Sequence, residues 1–381
     1  MSTIINADTS NGLKLTSDTS GEIELQSAGT TQAKITSSGL QNASGNPITS
    51  YAGTKNLVIN GDMQIAQRAT SVTGITTGNI YRTVDRWRSD VVTSGTWTQT
   101  QDTDVPLGQG FGASLKMDCT TADTSVGAAD RILIGTRFEG FNVQTLEKGT
   151  SAAKSTTLSF WVKSNKTGTY IVELFDSPNS RQIAKSYTIS VADTWEKKTI
   201  TYAGDTSGVF ANSSSLTLLI QFWFAAGSDY TSGTLNTSWT ANTNANRAVG
   251  QVNLADSTSN YVNITGVQLE IGTVATPFEN LQYGQQLSLC NRYYQDYTES
   301  NTVIRGFGYN TSSGLETPFT FKTPMRTAPT MTEVSGSDGG SNTQLTNFGN
   351  IKTYGCDFNT DPTTSNQTNY YQLTFTADAE L

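Results

Sequence analysis

Histidine is absent from all 381 residues of the chain, and that gap removes several kinds of chemistry at once. Ser-His-Asp and Cys-His nucleophilic systems, histidine-bearing zinc sites and imidazole pH switches all require it. Cysteine is nearly as scarce. Cys119, Cys290 and Cys356 stand far apart and are odd in number, so neither a paired disulfide framework nor a CxxC metal site is indicated. Free thiols in packed positions suit folding in a reducing cytosol. Charged residues make up only 15% of the chain and the formal charge is -8, without clustered Lys and Arg, which argues against nucleic acid as a partner. The N-terminus lacks a basic region followed by an apolar one, so no signal peptide is expected. The best apolar run, Leu216 to Gly227, is interrupted by Gln221 and is too short to span a bilayer. A soluble protein without membrane insertion is expected.

Ser, Thr, Asn and Gly fill the space left by charge, a composition that favours strands and turns over helices. An all-β fold is therefore expected, in three parts. Residues 1–55 hold a short β-repeat anchor and a linker: Leu13-Lys14-Leu15, Ile23-Glu24-Leu25 and Ala33-Lys34-Ile35 recur every ten residues between turn-rich spacers. Each unit reads as one small strand with two inward side chains and an outward charge, which must stack on itself and on other copies to bury its apolar face. Residues 41–53 read as a linker. Residues 56–280 alternate in the manner of a two-sheet sandwich, with Leu158, Phe160 and Val162 apart from Ser159, Trp161 and Lys163, and with Leu216, Leu218, Ile220, Phe222 and Phe224 apart from Gln221 and Trp223. Residues 281–381 open on a helical stripe, Tyr283, Leu287, Cys290, Tyr294 and Tyr297. They continue as a C-terminal β-sandwich domain whose last strand carries Tyr371, Leu373, Phe375 and Ala377 and is expected to expose an edge. The helix reads either as a connector packed on its own sandwich or as a three-helix seam.

The stretch Ile264 to Glu279 joins a period-2 strand to a fixed turn, with a slip of phase at Thr265-Gly266 that reads as a bulge and an ending at Gly272 and Pro277. It resembles the last strand of the carbohydrate-binding-module-like jelly roll of bacteriophage tail and fibre proteins. Asn56 to Met63, Val84 to Arg88, Phe138 to Leu146, Thr157 to Ser164 and Cys290 to Gln295 resemble the same virion proteins in the same order. The resemblance implies a non-enzymatic virion structural protein: a homotrimeric tail fibre or spike, assembled in the host cytoplasm, docking on a virion adaptor or another tail or capsid protein through residues 1–40. A capsid-attached head fibre or decoration protein is the alternative within that architecture. A glycan depolymerase is the alternative outside it, although such fibres resemble long β-helices, which have no counterpart in this sequence.

Two sets of residues are candidates for a site. Trp161 and Trp223 fall out of phase with the core positions of their strands, beside Lys163, Gln221 and Glu173. An aromatic platform flanked by amides and charges suits a sugar ring, with its apolar faces and polar edge, so these five are candidate ligands for host-surface glycan; a subunit interface or covering loops are the competing readings. Asn60, Asp62 and Glu270 lie near the ends of the jelly roll, where the resemblance places a structural calcium ion; no other cofactor is expected. Trp87 and Trp195 resemble packing positions of the family. Carboxylates close in sequence, Glu173 with Asp176, Asp102 with Asp104 and Asp118 with Asp123, are the groups a glycosidase would need and read more simply as solvated charges.

Overall fold

The computed structural model describes residues 22–36, 39–42, 55–299, 302–308, 315–337, 343–362 and 367–381. The repeat unit Leu13-Lys14-Leu15 and linker residues 43–53 lie outside them. Two compact units divide the chain, Met1–Lys55 and Asn56–Leu381.

In the first unit, β1 (Ile23–Ser27), β2 (Thr30–Thr36) and β3 (Gly39–Asn42) form an antiparallel meander. The two described repeat units thus pair with each other: Ile23 faces Ile35, Glu24 faces Lys34 and Leu25 faces Ala33. Leu40 lies opposite Ile35, so Ile23, Leu25, Ala33, Ile35 and Leu40 share one face. On the other face Lys34 reaches Glu24 at 2.9 Å and Glu22 at 3.3 Å.

The second unit is built on a jelly roll whose layers share a strand. After β4 (Ser71–Tyr81), β5 (Arg88–Asp102) pairs through its first half with β7 (Arg131–Glu139) and through its second with β6 (Ser114–Thr121). The remaining strands are β8 (Thr156–Ser164), β9 (Gly168–Asp176), β10 (Arg181–Ile189), β11 (Glu196–Tyr202), β12 (Leu216–Ala226), β13 (Thr240–Ala241) and β14 (Tyr261–Ile271). One layer runs β11-β8-β14-β6-β5 and the other β5-β7-β12-β9-β10-β13. Their inner faces enclose a core in which Phe160, Phe222, Trp87, Leu269 and Ile134 are buried. Area burial of this kind, at about 25 cal/mol per Å² of apolar surface, is the main term holding such a sandwich together.

The bulge in β14 falls between Thr265 and Gln268. Gly266 there has φ +62°, and a Cβ on it would sit 2.5 Å from the Phe111 ring. The Asn56–Met63 stretch runs beside β14: Leu57 N donates to Leu269 O at 2.9 Å and Val267 N to Gly61 O at 2.8 Å. A Cβ on Gly61 would lie 2.0 Å from the Val267 carbonyl, so only glycine lets these segments touch.

The helical stripe is shorter than its spacing predicts. Helix α2 (Tyr283–Asn291) follows a single turn, α1 (Ser228–Thr231). It stops where Tyr293 N bonds Cys290 O, so Tyr294 already belongs to β15 (Tyr294–Asp296) and Tyr297 lies beyond it. The strands β16 (Thr302–Gly308), β17 (Leu315–Thr320), β18 (Thr330–Ser337), β19 (Thr343–Lys352), β20 (Gly355–Pro362) and β21 (Gln367–Asp378) make two small sheets around Phe321, Phe358 and Phe375. The edge expected at the last strand is not there. β21 is flanked by β15 and β16 on one side and by β18 on the other, because the short strand after the helix folds back along it. This C-terminal layer has its own core yet belongs to the same compact unit as the jelly roll. Arg86, itself buried, pairs with Glu380 and lies over the Tyr293 ring, and Arg292 holds Glu139 at 2.6 Å.

Candidate functional site

The core fixes which side chains can reach a ligand. Phe160 of β8 and Phe222 of β12 meet across the sandwich with ring centroids 5.0 Å apart. Successive strand residues point to opposite faces, so Trp161 and Trp223 leave the core on opposite outer faces. The single platform expected from the sequence is thereby divided: Trp161 and Lys163 lie on one layer, Trp223, Gln221 and Glu173 on the other.

The second group is sealed. Chain from α1 to about residue 250 folds over it, and Trp223, Glu173 and Gln221 are all buried. Arg247 from this cover donates to both oxygens of Glu173 at 2.8–3.2 Å and to Gln221 Oε1 at 2.7 Å, and its guanidinium lies 5.2 Å from the Trp223 ring centroid. Tyr230 packs on the same indole at 5.2 Å. Among the described residues the indole Nε1 of Trp223 has no hydrogen-bond partner. An Arg-carboxylate fork inside an apolar cover is a packing device; a sugar would have to displace it. Arg247, whose place in a turn-rich stretch gave no signal, is the residue that decides this.

The first group remains open. Trp161 lies opposite Lys197 of β11 and Thr265 of β14, and Lys163 lies opposite Asn263. Trp195, next to the start of β11, comes up beside Lys163: Asp104 Oδ1 accepts from Trp195 Nε1 at 2.9 Å and Oδ2 from Lys163 Nζ at 2.6 Å. Burial works against the Asp104 charge, but these two donors outweigh it and hold its pKa below the usual carboxylate value. Trp161 and Trp195 are both half-buried, and Lys197 is exposed. The expectation that Trp195 is a packing position is corrected here, because its ring edge is pinned by Asp104 while part of it stays open. Across Asn263, Lys116 lies over the Tyr261 ring at 5.1 Å and pairs with Asp118 at 2.7 Å. Trp87, by contrast, is fully buried, its Nε1 donating to Asn60 O at 3.0 Å.

The candidate calcium ligands do not fit the ion. Asn60 braces a turn, with Oδ1 accepting from Ile65 N at 3.0 Å and Nδ2 donating to Ile65 O and Asp85 O at 2.9 Å. Glu270 accepts from Gln268 Nε2, Thr276 N and Thr276 Oγ1 at 2.7–2.8 Å. Asp62 keeps one oxygen without a partner among the described residues, and burial raises its pKa. Calcium needs six to eight oxygens, and among the described residues no three His, Cys, Asp or Glu groups are placed to hold a metal. One oxygen cage does exist, and a lysine fills it. Lys148 Nζ lies 2.5 Å from Asp176, 3.0 Å from Asp205, 2.7 Å from Ser207 O and 2.8 Å from Gly208 O. The carboxylates considered for glycoside cleavage are thus largely held by cations: Glu173 by Arg247, Asp176 by Lys148, Asp104 by Lys163 and Asp118 by Lys116.

No protein-family model matches the chain, and no curated protein sequence matches it. Solved structures do resemble it. The enzymatically active domain of tailspike protein 4 of bacteriophage CBA120 is similar over 57% of this chain and 22% of that one, at 14% identity and a TM-score of 0.30. A family 11 carbohydrate-binding module of a Clostridium thermocellum cellulosomal cellulase is similar over 54% of this chain and 98% of its own, at 11% identity and a TM-score of 0.26. TmCBM61 in complex with beta-1,4-galactotriose is similar over 57% of this chain and 100% of its own, at 7% identity and a TM-score of 0.29. No helix among the described residues is long and apolar enough to cross a membrane.

Proposed function

We propose that this chain is a non-catalytic structural protein of a phage virion, a tail fibre or spike that attaches through residues 1–40 and contacts host-surface glycan through the outer face bearing Trp161 and Trp195. One observation carries the binding reading. The sandwich has two outer faces with tryptophan; its own loop seals one, and the other keeps two half-open indoles, Trp195 tied together with Lys163 to the Asp104 carboxylate and Trp161 opposite Lys197. Indole faces take up the C–H side of a sugar while neighbouring charges and hydroxyls bond its edge. The reading as a homotrimer is supported by the β1–β3 meander, where Leu25, Ile35 and Leu40 are each at least 40% exposed on one face. So small a sheet cannot bury that face alone, and copies of the chain supply the cover. A head fibre or decoration protein would share this architecture.

The test replaces Trp161 and Trp195 with alanine. Binding to host cells or surface polysaccharide should fall while the fold and the oligomer persist. Light scattering should give about three times the chain mass for wild type and variant alike. Unchanged binding removes the glycan face, and a monomer removes the trimer.

A further inference from the structure

On the open face, two of the three lysines are spoken for. Lys163 is neutralised by Asp104 at 2.6 Å and Lys116 by Asp118 at 2.7 Å. Lys197 is different: it is exposed, and among the described residues it makes no ion pair. Its strand register puts it directly opposite Trp161, at a cross-strand spacing of about 5 Å between Cβ atoms. Trp195 lies two residues earlier, just before β11 begins, and its Nε1 meets the Asp104 carboxylate that also holds Lys163. The neighbouring Lys198 points the other way along the strand and is paired with Glu196 at 2.5 Å. An ammonium without an ion-pair partner among the described residues thus stands opposite Trp161 and two residues from Trp195, on a chain whose overall charge is -8.

From this juxtaposition we propose that the Trp161/Trp195 face selects anionic glycan, a sugar ring stacking on the indoles while its carboxylate or phosphate pairs with Lys197. The proposal rests on the glycan-binding reading above and narrows it to a ligand class. A neutral sugar would gain from Lys197 only a hydrogen bond to a hydroxyl, exchanged for one to water. An anionic one gains a charge-assisted hydrogen bond at the rim of an apolar platform, where the pair is partly shielded from water. Asp104 contributes by positioning: it engages Lys163 and Trp195, so Lys197 is the cation left for a ligand.

Affinity electrophoresis of the full chain against polygalacturonate, dextran phosphate, dextran and neutral galactan tests the idea, using wild type, Lys197→Gln, Lys197→Arg and Trp161→Ala. Retardation by at least one anionic polymer and by neither neutral one is expected, weakening as salt rises. Lys197→Gln should lose at least about fivefold of the affinity, Lys197→Arg should keep most of it, and Trp161→Ala should lose binding. Whichever anionic polymer retards the protein identifies carboxylate or phosphate as the partner. Binding that survives Lys197→Gln but not Trp161→Ala overturns the anionic class and leaves the glycan face standing. Failure to bind any of the four polymers overturns the proposal. A change of mass by light scattering in Trp161→Ala shows that the face is a subunit interface, which overturns both readings.

Discussion

Phe160 and Phe222 meet edge to face at 5.0 Å with an interplanar angle of 78°, and this contact dictates the fate of the residues that follow them. Because each phenylalanine points inward from a different layer, Trp161 and Trp223 are carried to opposite outer surfaces. Replacing Phe222 with alanine removes the ring that also packs near Trp87 at 6.3 Å. A loss of about 3–5 kcal/mol is expected for such a truncation, measured by urea unfolding as a lower midpoint with an unchanged slope.

Arg247→Ala should be nearly as costly, for an electrostatic reason. Glu173 is wholly buried, so removing its partner strands a carboxylate in the interior, a change that costs about 3–5 kcal/mol. Glycan binding should be unaffected in whatever fraction remains folded, since the sealed face takes no part. Weakened binding by folded Arg247→Ala would mean that the wrong face has been assigned.

Acid should loosen Trp195 before it unfolds the protein. The folded pKa of Asp104 is depressed by Lys163 and Trp195 against the opposing effect of burial. Its contribution is therefore fully present above the unfolded value of about 3.9 and disappears as pH falls through the lower, folded value. The difference in tryptophan fluorescence between wild type and Trp195→Phe should stay constant above that window and change within it. A signal that changes only near neutral pH would point to another group.

The three thiols should be unreactive in the native protein at about pH 8. Burial pushes Cys119 up to about 11 and Cys356 to about 12, and raises Cys290 well above its ordinary value. Unfolded thiols ionise near 8.5, so the native state retains protons that the unfolded state sheds, and stability falls as pH rises above that value. Labelling with a disulfide reagent should be negligible until denaturant is added; rapid modification of any one thiol without it would contradict the packing described.

Lys148→Ala should destabilise the protein by about 3–5 kcal/mol, because Asp176 and Asp205 lose the ammonium that occupies their cage. A thermal melt gives the measurement, and a melting temperature equal to wild type would show that water replaces the lysine at no cost.

Alternation along the chain was enough to determine an all-β sandwich, because a strand with one buried face must repeat every two residues. It located the bulge at Thr265-Gly266 and put Phe160, Phe222 and Leu269 in the core. It also marked Trp161 and Trp223 as outward, but period 2 states only which side of its own strand a residue takes. The partner layer, and hence whether two outward residues share a surface, depends on strand order, which β5 sets by leaving one layer for the other. The helical spacing at Tyr294 and Tyr297 likewise continued past the point where the chain turned into β15, since a strand to pair with, β21, lay far ahead in sequence. Asn60 and Glu270 have the oxygens of calcium ligands, yet nearby donors, Ile65 N for Asn60 and Gln268 and Thr276 for Glu270, already occupy them, and the turns that aim those donors are visible only in the fold. Tertiary structure alone placed Arg247 over Trp223 and Trp195 beside Lys163, because Arg247 comes from a loop 24 positions past its indole, Trp195 and Lys163 meet through an Asp104 carboxylate 91 and 59 positions away, and neither loop carries a periodicity that could announce them.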